Sequence, residues 1–207
     1  MQLILTDLNP SLCKVWQKEF AGLPNVTIQQ GYFEDIPQFD CMVSAANSFG
    51  LMDGGVDMAI SQFFGWGLQS RVQKRIIEEW YGEQPVGTSM IVKTDHPKHP
   101  FLAHTPTMRV PMMISRTDNV YQAMWAMLCA VATHNKTAEQ KINTVVCPGL
   151  GTGIGRVPVT SGGRQMAQAY KNFLNPPSRI TWSYAEDRQQ KIRLGGDFGF
   201  LAPANNL

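Results

Sequence analysis

The sequence predicts an α/β fold on a largely parallel or mixed sheet, and two observations carry that expectation. Short apolar segments of strand length alternate with stretches whose apolar residues recur every three or four positions. Two glycine-rich loops, 50–55 and 149–155, each follow a strand-like segment and open a helical one. In open α/β sheets, loops of that kind gather at the carboxyl ends of the strands, where ligands sit.

Each element has its own signal. Leu3, Ile4 and Leu5 read as a short buried strand. Asn9 then caps a helix with Pro10 at its first position, and Leu12, Val15, Trp16 and Phe20 form its apolar stripe until Gly22 and Pro24 end it. Val26 to Gln30 and Asp40 to Val43 read as strands. A helical pattern starts at Val56, breaks near Gly65-Trp66-Gly67 and resumes through Leu68, Val72, Ile76 and Trp80. After a turn at 82–87, Thr88 to Lys93 alternates as a strand does, and Phe101 to Ala103 is another strand beyond a proline-rich loop. A long helix is expected over Asn119 to His134, a buried strand over Lys141 to Cys147, and a helix over Gln165 to Phe173. One further strand is expected at Arg179 to Tyr184, and an irregular tail from Gly195 onward.

Composition narrows the function. The 207 residues suit one domain with a sizeable core, and a net charge of +2 is too small to argue for nucleic acid or membrane. Cys13, Cys41, Cys129 and Cys147 are widely spaced among apolar neighbours, as buried free thiols in a reducing compartment would be. No apolar run reaches membrane-spanning length, and MQLILTD lacks the basic region and long apolar core of a signal peptide. The expectation is a soluble cytoplasmic protein.

The stretch from Val43 to Ile60 carries the chemistry. Small residues Ser44, Ala45 and Ala46 lead to Asn47, and a loop closes on Asp53-Gly54-Gly55 before the helix. Glycines there can turn several N–H groups into one concavity, to which the helix N-terminus adds positive potential. A Gly-Gly before a helix is also an ordinary turn, and an aspartate in a first helical turn also complements the dipole. The second glycine loop tips the balance toward an anion site, since two such loops at one sheet edge form two walls that grip a diphosphate. That second loop carries no Gly-Lys-Ser or Gly-Lys-Thr, and Arg156 stands where the third glycine of a dinucleotide fingerprint would fall. Backbone donors with Thr152 suit a phosphate that is held rather than transferred.

These residues resemble the macro domain signature. The first loop is similar to that family's strand ending in V-N-A-A-N with a glycine run and V-D beyond it. The second is similar to its P-x-x-x-T-G-[IV] phosphate loop. The resemblance implies a three-layer α/β/α fold with a central mixed sheet that binds ADP-ribose and, in many members, hydrolyses bonds at its distal ribose. It implies residues 1–175 as the macro domain and 176–207 as a C-terminal extension. Asn47 falls on the asparagine that contacts the distal ribose, and Asp57 on the aspartate that positions or activates water in hydrolytic members. Ala46, Gly54, Gly55 and Val56 match the first wall. Gly151, Thr152, Gly153 and Ile154 match the second, and Gly149 and Gly155 beside them are expected to contact the ligand. The pattern departs from the family at Ser44, which replaces its first asparagine, and at Tyr32-Phe33, where an adenine-gripping aspartate is usual; Phe33 is expected to stack the base instead. Gly155-Arg156-Val157 replaces aromatic positions over the distal ribose, opening the site and adding the Arg156 cation toward a terminal phosphate. The NSFGLMDGG and TPTMRVP segments resemble a bacterial or phage branch.

The implied partner is ADP-ribose or an ADP-ribosylated substrate, with nucleic acid only as such a substrate, and without cofactor or metal. His96 and His99 lack a third ligand for zinc. His104 is expected to be a structural histidine, and Arg109 a salt-bridge former. Two classes stay open: a hydrolase of ADP-ribose-1''-phosphate or of ADP-ribosyl bonds, and a reader that binds without turnover. Asp57 favours the hydrolase. At a helix N-terminus its pKa is expected to be depressed, which suits orienting water better than taking its proton.

Overall fold

The computed structural model describes residues 1–192. Six strands form one mixed sheet: β1 (Gln2–Asp7), β2 (Val26–Gln30), β3 (Cys41–Asn47), β4 (Met90–Lys93), β5 (Phe101–Met108) and β6 (Thr144–Cys147). Their order is β2-β1-β6-β3-β5-β4; every pairing is parallel except β4 with β5. The helices are α1 (Pro10–Glu19), α2 (Gly55–Phe64), α3 (Gly67–Trp80), α4 (Asn119–Thr137), α5 (Val159–Leu174) and α6 (Trp182–Ile192).

Side-chain alternation along the strands sorts these helices into two outer layers. Leu3, Leu5, Cys41, Val43, Phe101, Ala103, Val145 and Cys147 share one apolar cluster with α1, α4 and α5. Met42, Leu102 and Val146 point the other way, into a cluster with α2 and α3. The fold is therefore three-layered, α/β/α, as expected. Asn9 caps α1 as read from the sequence, its side chain accepting from the Ser11 N–H at 2.9 Å. All four cysteines are free, Cys129 only half-buried.

α5 starts at Val159, six residues before the Gln165 expected, and three elements differ further from expectation. β3 runs on through Asn47 and β5 through Met108, because Ser44, His104, Thr105 and Thr107 are buried polar residues inside the ladder that break the apolar pattern without breaking the strand. Pro106 lies within β5, and the register shifts opposite it, between Ala46 and Asn47. A proline has no N–H to give the ladder, so an irregularity there is the natural accommodation. The strand expected at 179–184 is instead irregular chain through Thr181 and then the start of α6, whose Lys191–Asp187 pair at 2.6 Å and Arg188–Tyr184 contact at 2.5 Å have the four-residue spacing of a helix. Arg188 lies over the Trp125 ring at 4.4 Å, which docks α6 on α4. The tail expected to be irregular lies outside the described residues. No helix among the described residues is long and apolar enough to cross a membrane.

Candidate functional site

The carboxyl ends of β1, β3, β5 and β6 open into a cleft of about 660 Å³, within the range typical of small-molecule sites. Its walls are the two glycine loops. Asn47, Asp57, Phe33, Ala46, Gly54, Gly55, Val56, Gly149, Gly151, Thr152, Gly153, Ile154 and Gly155 all line it. Arg156 is exposed and is not among the lining residues, and its backbone is left-handed with φ 51°. The structure thus gathers every expected site residue but that one.

In the first wall, Gly54 is the N-cap of α2 and brings no capping side chain. The first N–H groups of a helix have no intrahelical acceptor, so those of the first α2 turn are left for a ligand at the dipole's positive end. Gly55 holds φ +55°, a left-handed conformation that puts the chain into the helix at this point. Asp57 follows within the first turn. It is 5% exposed, and the Ser44 hydroxyl donates to its Oδ1 at 2.7 Å. Burial raises its pKa to about 6, outweighing the lowering effect of the Ser44 hydrogen bond. The depressed value expected from the helix dipole is therefore overturned: at this depth the loss of solvation dominates. The result is a carboxyl group that is mostly ionised at neutral pH yet accepts a proton readily.

Asn47 lines the cleft but also builds its own loop. Its Oδ1 accepts from the Phe49 and Leu51 N–H groups at 3.1 and 3.3 Å, and its Nδ2 donates to the Leu51 carbonyl at 2.7 Å. One amide hydrogen remains for a ligand.

The second wall is tightly packed. A Cβ at Gly149 would lie 2.5 Å from Asp7 Oδ2 and 2.6 Å from Leu12, and one at Gly155 would lie 2.6 Å from the Gly151 carbonyl oxygen. The Val157 N–H closes on that carbonyl at 3.0 Å. Gly153 is different, since a Cβ there would meet nothing within 4 Å. Gly149 donates its N–H to Asp7 Oδ2 at 3.2 Å, which ties the loop to the end of β1.

Asp7, with Thr6 and Leu8, is a lining residue that sequence reasoning missed. The rule that ligands meet strand carboxyl ends applies to β1 as well and would have found it. Tyr32 was also missed as a contact. Phe33 reaches the lining, but its ring is buried against Phe63, edge-on at 5.4 Å, whereas Tyr32 is 58% exposed and is the free aromatic surface at that end.

The remaining expectations fall outside the cleft. Arg109 pairs with Glu83 at 2.5 Å. His96 and His99 stack at 4.7 Å beside Phe63 and Phe39. His104 is buried under the site, with its Nε2 unpartnered, so the structural histidine expected there is not fully satisfied.

A family model described as Macro domain matches residues 43–173. An uncharacterized protein of Aquifex aeolicus is 31% identical over 134 residues, 65% of this chain and 74% of its own length. One from Aeropyrum pernix is 27% identical over 130 residues, 63% of this chain and 62% of its own. Among solved structures, the macrodomain of Mycobacterium tuberculosis DarG aligns with a TM-score of 0.59 at 17% identity, covering 70% of this chain and 90% of that one. A mutant Oceanobacillus iheyensis macrodomain with ADPR gives 0.57 at 20%, covering 76% and 88%. At such identities the structural likeness speaks for the fold.

Proposed function

The chain belongs to the macro domain family, and on that premise we propose that it binds ADP-ribose across the cleft and hydrolyses a bond at the distal ribose, beside Asp57. The family binds ADP-ribose, and some members hydrolyse its derivatives. The observation that carries the reading is the site's one buried carboxyl group, with a pKa near 6, at the end of a wall of unclaimed helix N–H groups. The diphosphate bridges the first turn of α2 and the Gly151–Gly155 loop. The distal ribose then lies toward Asp57 and the remaining Asn47 amide hydrogen, and the base toward Leu8 and Tyr32.

A group titrating near 6 is well matched to proton transfer at neutral pH. In the proposed reaction, Asp57 takes a proton from a water whose oxygen bonds to the anomeric carbon of the distal ribose as the bond from that carbon to its substituent breaks. The leaving group, phosphate or the acceptor freed of its ADP-ribosyl group, departs with the bonding electrons and takes up the proton, leaving ADP-ribose. The macro domain is taken as residues 1–175 and the extension as 176–207, in a cytoplasmic protein whose partner is ADP-ribose or an ADP-ribosylated substrate.

One observation favours a reader without turnover: most of the Asn47 amide is committed to its own loop. Product analysis separates the two. Wild-type protein incubated with ADP-ribose-1''-phosphate and with ADP-ribosylated protein is expected to release ADP-ribose from at least one of them. Tight ADP-ribose binding with no product from either would leave the reader.

A further inference from the structure

The sheet order sets the two ends of the cleft apart. β6, whose carboxyl end feeds the 149–155 loop, lies between β1 and β3. The phosphate wall therefore separates Asn47, at the end of β3, from the ends of β1 and β2, where Leu8 and Tyr32 stand. Those two strands stay in register to their last residues, Asp7 beside Gln30, and the Gly31 N–H donates to the Asp7 carbonyl at 3.2 Å. Leu8 and Tyr32 follow directly. Both line the cleft, and both are more than half exposed. An apolar side chain and an aromatic ring thus stand side by side at adjacent strand ends, on the side of the phosphate wall away from Asn47.

The polar groups held in place at that end are committed to the fold. The buried Thr6 hydroxyl donates to the Gly31 carbonyl at 2.9 Å. Asp7 accepts from the Asn9 N–H at Oδ1, 2.8 Å away, and from the Gly149 N–H at Oδ2, 3.2 Å away. Asn9 Oδ1 accepts from the Ser11 N–H at 2.9 Å as the cap of α1. What keeps hydrogen-bonding capacity among the lining residues there is the Asn9 amide hydrogens, the Tyr32 hydroxyl, Glu34 and Gln62, whose neighbour Phe63 packs on Phe33. All four residues are exposed. A hydrogen bond from a solvated group replaces one to water and discriminates little between ligands. A buried group left unpaired by the wrong ligand, by contrast, rejects it by orders of magnitude.

We propose that this end of the cleft holds a nucleotide's base by its face, against Tyr32 and Leu8, and leaves its edge unread, so that amino and keto purines are accepted alike. Stacking on an aromatic ring is indifferent to base identity, because every base presents a π-face. Tyr32 then sets affinity at this end, and the ligand class is a purine nucleoside diphosphate-ribose rather than ADP-ribose alone. The inference rests on the proposed reading that ADP-ribose lies across the cleft, and it is independent of turnover.

Calorimetric titration with ADP-ribose and with inosine diphosphate-ribose, in which a keto oxygen replaces the exocyclic amine of adenine, tests it. The two dissociation constants are expected to agree within about 5-fold. Tyr32→Ala is expected to weaken both ligands by the same factor, about 10- to 100-fold, and Tyr32→Phe, which keeps the ring, to restore both. Tyr32 is exposed, so the core is untouched by either change. Glu34→Ala and Gln62→Ala are expected to leave the ratio of the two constants at its wild-type value. A difference larger than about 5-fold between the ligands in wild-type protein would overturn the inference. So would a Glu34 or Gln62 variant that changes the ratio, or a Tyr32→Ala protein that binds both ligands as wild type does. Wild-type protein that binds neither ligand would overturn the inference and the proposed function together; ADP-ribose bound and the inosine ligand refused would overturn the inference alone.

Discussion

The two walls of the cleft are both glycine loops before helices, yet they are built to opposite ends. The wall at 149–155 is rigid by packing. Its Gly149 and Gly155 leave no room for a Cβ, and it is tied to β1 through Asp7. The wall at 54–57 leaves open space at its glycines but buries a carboxyl group whose charge the fold disfavours. On the proposed reading both walls hold the diphosphate, and only the first adds a buried carboxyl group beside it. A motif shared by two loops therefore does not assign them one task. What stands behind each loop does.

The contrast is sharpest in turnover. Asp57→Ala is expected to cut hydrolysis by about two to four orders of magnitude, the usual size of a positioned acid–base contribution, while ADP-ribose affinity changes far less. Steady-state kinetics beside calorimetry would show the split. If affinity and turnover fell together, Asp57 would serve binding rather than the reaction.

Next comes Gly153, the one glycine of the lining part of the second loop with open space and a backbone that any residue adopts. Gly153→Glu is expected to weaken ADP-ribose binding by roughly 100-fold or more, because its carboxylate stands against the diphosphate. The melting temperature is expected to stay close to wild type. Unchanged affinity in a folded variant would show that this loop is not the phosphate wall.

Stability should report the charge buried in the first wall. The folded-state pKa of Asp57, about 6, lies above its ordinary value of 3.8. The acid form is thus favoured by folding, and the penalty is largest above the folded pKa and gone below the ordinary one. Asp57→Asn is therefore expected to be more stable than wild type by roughly 3 kcal/mol at about pH 8, with most of the gain lost by about pH 4. His104, whose depressed pKa acts in the opposite sense, is common to both proteins and cancels in the difference. Urea melts at the two pH values measure it; an Asn variant no more stable at high pH would contradict the buried-charge account.

The smallest effect concerns how the second wall is fastened. Asp7→Ala removes the acceptor of the Gly149 and Asn9 N–H groups. ADP-ribose affinity is expected to fall about 5- to 10-fold, the worth of one such hydrogen bond, with turnover of bound substrate nearly unchanged. A loss in turnover without loss in affinity would reverse the roles given to the two walls.

Much of this could be read along the chain, for reasons of range. The glycine loops, the Asn9 cap and the helix break at Gly65 are local signals, each set within a few residues. What failed was non-local. Ser44 and His104 are polar and so shortened the expected strands, although both are buried by the helices that cover them. The direction of the Asp57 pKa depended on that same burial, which no dipole argument from sequence position contains. At 179–184, Ile180, Thr181, Trp182 and Tyr184 favour a strand by type, but no neighbouring strand edge receives them, and α6 forms against α4 instead. Asp7 was within reach of the strand-end rule, but its acidic side chain did not resemble a loop for anions.

The central claim is that one ligand spans both walls, and calorimetric titration with ADP-ribose and with AMP tests it most directly. AMP reaches only the base end and part of the phosphate site. ADP-ribose is expected to bind about 100-fold more tightly, a difference of about 2.7 kcal/mol. Equal affinities for the two ligands would contradict the account.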